Sequence, residues 1–189
     1  MVRVGLNTER LVRAGAELAD EAGFEQVTVS ALARRFGVQV ASLYSHVKSS
    51  HELKTAIALL ALEEMADRGD AALAGRAGKD ALAALGNVYR DYAGEHPGRY
   101  AASRLRLDPA TAAASAGGRH AMMARAVLRG YDLAEPESTH AVRLLGSTFH
   151  GYVDLELAGG FSHSAPDSQE SWSRIIDALD ALLRNWPAA

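Results

Sequence analysis

The chain has 189 residues, a formal net charge of −3, 48% hydrophobic residues and no cysteine. This length is enough for one ordinary domain or two small ones with a buried core, and the composition excludes a disordered chain and a fibrous repeat. The absence of cysteine excludes disulfide scaffolds, thiolate metal sites and cysteine nucleophiles. Taken alone, the negative charge argues against a nucleic-acid-binding protein.

No segment has the pattern of a targeting signal or a membrane span. Residues 1–10 lack the apolar run that a signal peptide needs. The longest apolar stretch, residues 56–62, is far shorter than the roughly 20 residues that cross a bilayer. We therefore expect a cytoplasmic protein that does not contact a membrane.

Apolar residues recur at helical spacing along most of the chain, alanine is abundant, and no run alternates convincingly with period two. The sequence therefore predicts an all-α protein of eight to ten helices. The predicted helices cover about residues 8–22, 29–36, 40–47, 51–67, 80–95, 97–107, 109–131, 136–158 and 168–186. The glycine-rich residues 69–79 are predicted to be a frayed helix end and a linker. Gly117 and Gly118 predict a kink or a split within the helix over 109–131.

Three residues among the first 50 have the spacing of a helix-turn-helix motif. Ala33 is small where the two helices of such a motif cross, and Gly37 can adopt the positive φ of the tight turn. Leu43 is placed to pack the second helix against the first. Because these requirements are met together, the sequence predicts three short helices that form a DNA-binding head.

The same segment resembles a known family. Residues 28–38, TVSALARRFGV, followed by residues 42–48, SLYSHVK, look like the DNA-binding domain of the tetracycline-repressor (TetR) family. The resemblance covers roughly residues 8–55. Farther on, residues 148–151, TFHG, and residues 155–161, LELAGGF, are similar to a ligand-domain subgroup with an aromatic-His-Gly motif. The resemblance implies a helix-turn-helix domain in residues 1–52 and a helical ligand-binding and dimerisation domain in residues 53–189.

A recognition helix places its N-terminal residues against base edges in the major groove. The candidates for this role are Gln39, Val40, Ala41 and Ser42. Gln39 is suited to pair with an adenine, and Val40 or Ala41 to touch a thymine methyl group. The resemblance also implies contacts to the DNA backbone by Thr28, Tyr44, His46 and Lys48. The alternatives are a core-edge role for Tyr44, an ordinary surface position for His46, and water-mediated contacts for Gln39 and Ser42.

The middle helices carry aromatic and methionine side chains with a few polar tips, which is the lining that small-molecule sites prefer. The candidate ligand-binding residues are Tyr89, Tyr92, Tyr100, Met122, Met123, Phe149, His150 and Tyr152. His150 is the strongest of them because a polar ring beside Phe149 needs a partner. The alternative is that Asp154, four residues farther on, pairs with His150 inside the protein.

The two final predicted helices carry the longest pair of apolar stripes. In the family that the chain resembles, these helices form a four-helix bundle with their copies in a second subunit, so the resemblance implies an isologous homodimer. Such a dimer places two recognition helices about 34–36 Å apart, which matches a pseudo-palindromic site on double-stranded DNA. The alternative is that this face only closes the core of the monomer.

The histidines include no pair at i,i+4 spacing, and neither a phosphate-cradling glycine loop nor a Gly-x-Ser-x-Gly elbow is present. We therefore predict no enzyme, no catalytic residue, no metal and no cofactor. The hypothesis is a DNA-binding transcriptional regulator, a repressor whose operator affinity falls when an unknown small-molecule effector binds. The alternative is a helical small-molecule-binding protein or enzyme with a vestigial DNA-binding domain.

The net charge divides unevenly between the two predicted domains. Residues 1–55 carry seven basic and six acidic side chains, so the excess of acid lies in the remainder. We therefore expect modest, strongly salt-sensitive nonspecific affinity for DNA. Specific binding then depends on individual contacts and on two heads that act together.

Overall fold

A computed structural model describes residues 6–187 of the chain. This part contains ten α-helices, two short 3₁₀ helices and no strand, which confirms the predicted all-α class. The helices are α1 (Thr8–Ala22), α2 (Val29–Phe36), α3 (Val40–Leu43), α4 (Ser50–Leu73), α5 (Gly78–Glu95), α6 (Pro97–Ser103), α7 (Pro109–Ala114), α8 (Gly117–Leu128), α9 (Glu137–Leu157) and α10 (Ser168–Arg184). Within residues 6–187, none of these helices combines the length and the apolar character that a bilayer crossing requires.

The described chain forms two compact units. The first comprises residues 6–64 and 95–115, and the second comprises residues 65–94 and 116–187. The boundaries of these units do not coincide with the predicted domain border between residues 52 and 53. They differ because α4 begins in the first unit and ends in the second, and because α6 packs against α1. The border between the two functional domains stays a prediction.

Helices α1 and α2 begin at polar caps and end at glycines. The side chains of Asn7 and Thr28 each accept a hydrogen bond from the backbone N–H three residues farther on, at 2.8 and 3.0 Å. Gly23 and Gly37 follow the two helices with φ angles of 95° and 64°. Since L side chains rarely adopt this region, glycine ends each helix without strain.

The core of the first unit joins the first four helices and α6. Its fully buried side chains include Leu11, Leu32, Leu43, Leu53 and Ala102. These residues come from α1, α2, α3, α4 and α6 in turn. Helices that precede the helix-turn-helix segment and helices that follow it therefore pack against it. Its own short helices do not stabilise it alone.

Helix α6 docks on α1 through a glycine and a carboxylate. A Cβ atom on Gly98 would lie 2.0 Å from the carbonyl carbon of Ala19, so only glycine allows this approach. Asp20 of α1 accepts a hydrogen bond from the backbone N–H of Arg99 at 2.9 Å, and His96 Nδ1 lies 3.2 Å from the same carboxylate. Asp20 therefore caps the N-terminus of a helix that is distant in sequence.

The predicted end of the fourth helix near residue 67 is wrong, because α4 continues to Leu73. Gly69 is buried inside α4, and a Cβ atom there would lie 2.4 Å from Met123 Sδ. The glycine thus serves close packing with α8 and does not mark a helix end. The predicted split near Gly117 is confirmed, since α7 ends at Ala114 and α8 begins at Gly117.

The core of the second unit is aromatic. Trp172 of α10 is almost completely buried, and its ring centroid lies 5.8 Å from that of Phe149 on α9. Gly86 of α5 makes room for both rings, since a Cβ atom there would lie 2.9 Å from Trp172 and 3.1 Å from Phe149. The indole N–H of Trp172 donates to Asn87 Oδ1 at 2.7 Å. Helices α5, α9 and α10 therefore meet around one ring.

Candidate DNA-binding and ligand-binding sites

The turn between α2 and α3 has the geometry that the sequence predicts. Gly37 adopts the left-handed conformation, and the backbone N–H of Val38 donates to Ala33 O at 3.0 Å. Ala33 is buried where the two helices meet, and Leu43 is fully buried beneath α3. Ala33, Gly37 and Leu43 thus anchor the segment that follows the turn and fix which of its side chains face outward.

Helix α3 is shorter than predicted. It ends at Leu43, and residues 44–46 form a turn. The hydroxyl of Ser45 donates to Ser42 O at 2.9 Å, and the backbone N–H of His46 donates to Leu43 O at the same distance. These bonds span three residues and take carbonyl groups that a continuing α-helix would use.

Most of the predicted DNA-contacting side chains lie on the surface of the first unit. Gln39, Ala41, Ser42, Tyr44 and Lys48 are exposed, and Thr28, Val40 and His46 are partly buried. Tyr44 is 52% exposed, which is a large fraction for an aromatic ring beside a packed core. We call residues 39–48, which carry most of these exposed side chains, the recognition segment.

A pair of hydrogen bonds like those of a capping box holds the end of the recognition segment. The hydroxyl of Ser49 accepts from the backbone N–H of Glu52 at 3.1 Å, and Glu52 Oε2 accepts from the backbone N–H of Lys48 at 2.6 Å. The signature is a serine followed three residues later by glutamate, which is readable from sequence. This arrangement fixes the backbone of Lys48 and leaves its side chain exposed.

The basic residue Arg35 faces α1. Its guanidinium donates to Glu21 at 2.6 and 2.9 Å and to Glu17 at 3.1 Å. These bonds hold the pKa of the Glu21 carboxyl below its usual value. Arg35 therefore links α2 to α1. Within the recognition segment, Lys48 is an exposed cation.

The predicted ligand-binding residues do not all meet in one place. Tyr89, Phe149 and His150 lie together in the second unit, with the His150 ring perpendicular to Tyr89 at 5.2 Å. Tyr100 belongs to the first unit, where it is buried. The remaining candidates of the second unit line other surfaces or pack in its core: Tyr92, Met122, Met123 and Tyr152. Their roles as ligand contacts stay predictions.

These four side chains have identifiable neighbours. Tyr92 is buried beside the guanidinium of Arg68, 5.0 Å from its ring centroid. Met122 and Met123 border a surface cleft together with Arg119. Tyr152 packs against Trp172 with ring centroids 5.0 Å apart.

A partly open cavity of about 200 Å³ lies between α5, α8 and α9. It is lined by Leu85, Tyr89, His120, Ala121, Ala124, Val142, Leu145, Gly146 and Phe149. The Tyr89 hydroxyl lies 3.0 Å from His120 Nδ1, and burial raises the pKa of Tyr89 to about 12. His120 was not among the predicted residues. No local pattern marks it, because its partner lies 31 positions away.

Among residues 6–187 no group of three or more histidine, aspartate or glutamate side chains is arranged to hold a metal ion. The fold and the exposed recognition segment instead define a helix-turn-helix DNA-binding protein with a second helical unit.

Comparisons with known proteins agree with this class. A protein-family model described as bacterial regulatory proteins of the tetR family matches residues 11–57. A second family model, described as a tetracyclin repressor-like C-terminal domain, matches residues 82–179. The chain is 34% identical over 158 residues to the uncharacterised HTH-type transcriptional regulator Rv0681 of Mycobacterium tuberculosis, which covers 82% of this chain and 72% of the relative. The chain belongs to the TetR family of bacterial transcriptional regulators.

Two further relatives extend the likeness over nearly the whole chain. The uncharacterised HTH-type transcriptional regulator YobS of Bacillus subtilis is 29% identical over 184 residues, which covers 97% of this chain and 96% of the relative. A TetR variant from Acinetobacter baumannii, solved in complex with minocycline, has the same fold with a TM-score of 0.72 at 20% identity. That match covers 98% of this chain and 100% of the other. The protein is thus a DNA-binding transcriptional regulator, and its relatives carry the names of regulators, not of enzymes.

Proposed function

We propose that this regulator is a homodimeric repressor that binds a pseudo-palindromic operator and releases it when a small-molecule effector binds the second unit. The observation that carries the proposal is the recognition segment. Its outward side chains are polar or small, while Leu43 and Val47 between them are buried. A segment anchored from within and exposed at residues 39, 41, 42 and 44 is suited to enter the major groove.

Within this proposal the predicted DNA-contacting residues divide into three roles. Gln39 and Ser42 read base edges, because they precede or lie within α3 at the end that meets the groove. Tyr44, His46 and Lys48 follow α3 and contact phosphates, together with Thr28 at the start of α2. Val40 and Ala41 contribute apolar contacts.

Replacing Lys48 by alanine is expected to weaken binding to every DNA sequence, because a phosphate contact carries no sequence information. The slope of log affinity against log salt concentration should fall by about one per subunit. Fluorescence anisotropy with labelled duplexes at several salt concentrations measures both effects. Lys79→Ala is the control, since Lys79 lies in the second unit and pairs with Asp177.

Gln39→Ala is the matching test of base readout. We expect it to lose about 1–3 kcal/mol of discrimination at one position of each half-site, with little change in the salt slope. Selection of bound sequences from a random DNA pool provides the comparison. An equal loss of affinity on all sequences for Gln39→Ala would contradict its assignment to base readout.

The homodimer is proposed to form through α9 and α10. Two large apolar side chains on these helices are exposed in the single chain, Leu155 of α9 and Leu182 of α10. Exposed leucines at this density on two adjacent helices are typical of a surface that another chain covers. A copy of the same surface satisfies the symmetry of an isologous contact.

The pair of substitutions Leu155→Glu and Leu182→Glu is expected to convert the dimer to a monomer, because each would place a charge inside the proposed interface. Size-exclusion chromatography with light scattering measures the mass. Met122→Glu is the control, since Met122 is 63% exposed on α8 and lies outside the proposed interface. A dimer that survives the double substitution would contradict the proposed interface.

The effector is proposed to bind in the cavity between α5, α8 and α9. The cavity is lined mainly by apolar side chains with one hydrogen-bonded polar pair, as small-molecule sites commonly are. We also assign the second unit to the aromatic-His-Gly subgroup on residues 148–151. Phe149 of that motif lines the cavity and His150 lies against Tyr89. Effector binding would lower operator affinity by a coupling free energy of about 1–3 kcal/mol.

A mobility-shift assay with DNA from upstream of the protein's own gene tests the proposal as a whole. A shifted band that the Lys48→Ala variant weakens supports an active DNA-binding head. Failure to bind every candidate duplex at low salt, with the folded dimer intact, would favour the vestigial-domain alternative.

A further inference from the structure

On the basis of the proposed effector-responsive function, we propose the chemical class of the effector: a neutral molecule with one aromatic ring and one hydroxyl group. It binds in the cavity with its hydroxyl against Tyr89 and its ring against Phe149. Three properties of the cavity support this class, namely its volume, its lack of charge and the chemistry of its one polar pair.

The volume suits a ligand with a single ring. The cavity holds about 200 Å³. An apolar protein cavity of about 150 Å³ is known to accommodate benzene. The additional volume fits one or two small substituents beside a single ring. Two larger clefts in the second unit lie at its surface and are bordered by charged side chains, among them Arg119 and Glu156.

The lining favours a neutral ligand. None of the nine lining residues is an aspartate, glutamate, lysine or arginine. An ionised carboxylate or ammonium group moved from water into such surroundings loses its hydration without gaining a counter-charge. A neutral ligand avoids this cost, and its ring replaces water on the apolar wall formed by Leu85, Val142 and Leu145.

The polar pair selects a hydroxyl group over other oxygen functions. The oxygen of Tyr89 lies 3.0 Å from His120 Nδ1, and which atom donates depends on the tautomer of the imidazole. If Tyr89 donates to His120, its oxygen can accept from the ligand; if His120 donates, the Tyr89 O–H can donate to the ligand. A ligand hydroxyl matches both cases because it donates and accepts, whereas a carbonyl matches only one. With its pKa raised by burial, Tyr89 keeps its proton at neutral pH.

Aromatic neighbours favour an aromatic ligand. The Tyr89 ring lies 5.9 Å from that of Phe149 and 5.8 Å from that of His120, and both arrangements are inclined rather than parallel. Inclined rings at this separation present edges and faces to the space between them, and another ring can join them in the same geometry.

Isothermal titration of the full chain with para-cresol, toluene and para-toluate tests the class without DNA. The three probes share a methylated ring and differ in carrying a neutral hydroxyl, no polar group or a charge. We expect para-cresol to bind at least tenfold more tightly than either of the other two. Binding of para-toluate as tight as that of para-cresol would overturn the proposed neutrality.

Two variants locate the site. Tyr89→Phe should weaken para-cresol five- to tenfold, the usual effect of one lost hydrogen bond, and leave toluene unchanged. Ala121→Leu should abolish binding of both by occupying the cavity. Tyr131→Phe is the control, because Tyr131 bonds to Asp180 and does not line the cavity. Equal para-cresol affinity in the wild type and Tyr89→Phe would overturn the assignment.

The titration separates this inference from the proposed function. If operator binding is intact but none of the three probes binds, the ligand class is wrong and the regulator stands. If para-cresol binds as described but does not change operator affinity, the cavity chemistry stands and the proposed effector response fails.

Discussion

Replacement of Gly98 by alanine is expected to reduce the free energy of unfolding of the first unit by about 3 kcal/mol, at the upper end of the usual cost of overpacking. The added Cβ would lie 2.0 Å from the carbonyl carbon and oxygen of Ala19 and 2.5 Å from the backbone nitrogen of Asp20. These are backbone atoms of α1, so no side-chain rotation can relieve the overlap. Helix α6 must shift, and the bond between Asp20 and the N–H of Arg99 lengthens with it.

Gly94→Ala is the matched control for this substitution. It lies four residues earlier, near the end of α5, and an added Cβ there meets nothing within 4 Å. Alanine has the higher helix propensity, so this variant should be more stable than the wild type by up to about 1 kcal/mol. Urea denaturation followed by circular dichroism, together with hydrogen exchange in α1, distinguishes the two. A Gly98→Ala variant with wild-type exchange in α1 would contradict the close contact.

Replacement of Arg90 by methionine is expected to destabilise the second unit by about 1–2 kcal/mol, because it leaves the partly buried Glu156 carboxylate without its partner. Two N–H groups of Arg90 donate to the two oxygens of Glu156 at 2.6 and 2.7 Å, and a third donates to Gln169. The guanidinium also lies 5.7 Å from the centre of the Trp172 ring. One side chain of α5 thus joins α9 to α10.

Arg90→Lys and Glu156→Gln complete the test. Lysine keeps the charge but lacks the planar fork, so we expect an intermediate loss. Combining Arg90→Met with Glu156→Gln removes the unpaired charge and should recover part of the stability. Thermal unfolding of the wild type, Arg90→Met, Glu156→Gln and their double variant gives the coupling energy. Losses that add without coupling would contradict the paired geometry.

The pair also predicts a pH dependence. The hydrogen bonds from Arg90 hold the pKa of Glu156 below its usual value near 4.5. A carboxyl whose pKa is depressed by folding contributes stability above its unfolded pKa and loses it as the pH falls through the folded value. The wild type should therefore lose this contribution below about pH 4.5, whereas Glu156→Gln should not.

The helix-turn-helix segment could be predicted from sequence because its determinants are local. Asn7 and Thr28 cap their own helices, and Gly37 and Leu43 stand at fixed distances from Ala33. At Gly69, by contrast, the prediction from local sequence was wrong. As a local signal this glycine predicts a helix end, but in the structure it lies inside α4 beneath Met123. A glycine that serves packing cannot be distinguished from a terminator until its spatial neighbour is known.

The candidate ligand site was predicted in part for the same reason. Tyr89 and Phe149 stand out by type and by position on apolar helix faces. His120 does not, because its significance comes from a contact with Tyr89 across two helices. Tyr100 has the same composition signal as Tyr89 but belongs to the other compact unit. Residue type identifies candidates, and only the packing of helices decides which of them face one cavity.

The docking of α6 on α1 has a consequence for the engineering of hybrid regulators. A head cut after residue 57, where the N-terminal family match ends, would leave Gly98 and its helix behind. The transplanted piece would then expose the strip of α1 around Ala19 and lose the partners of Asp20. A chimera that exchanges DNA specificity should therefore carry residues 95–115 with the head, so that a graft needs three junctions in place of one.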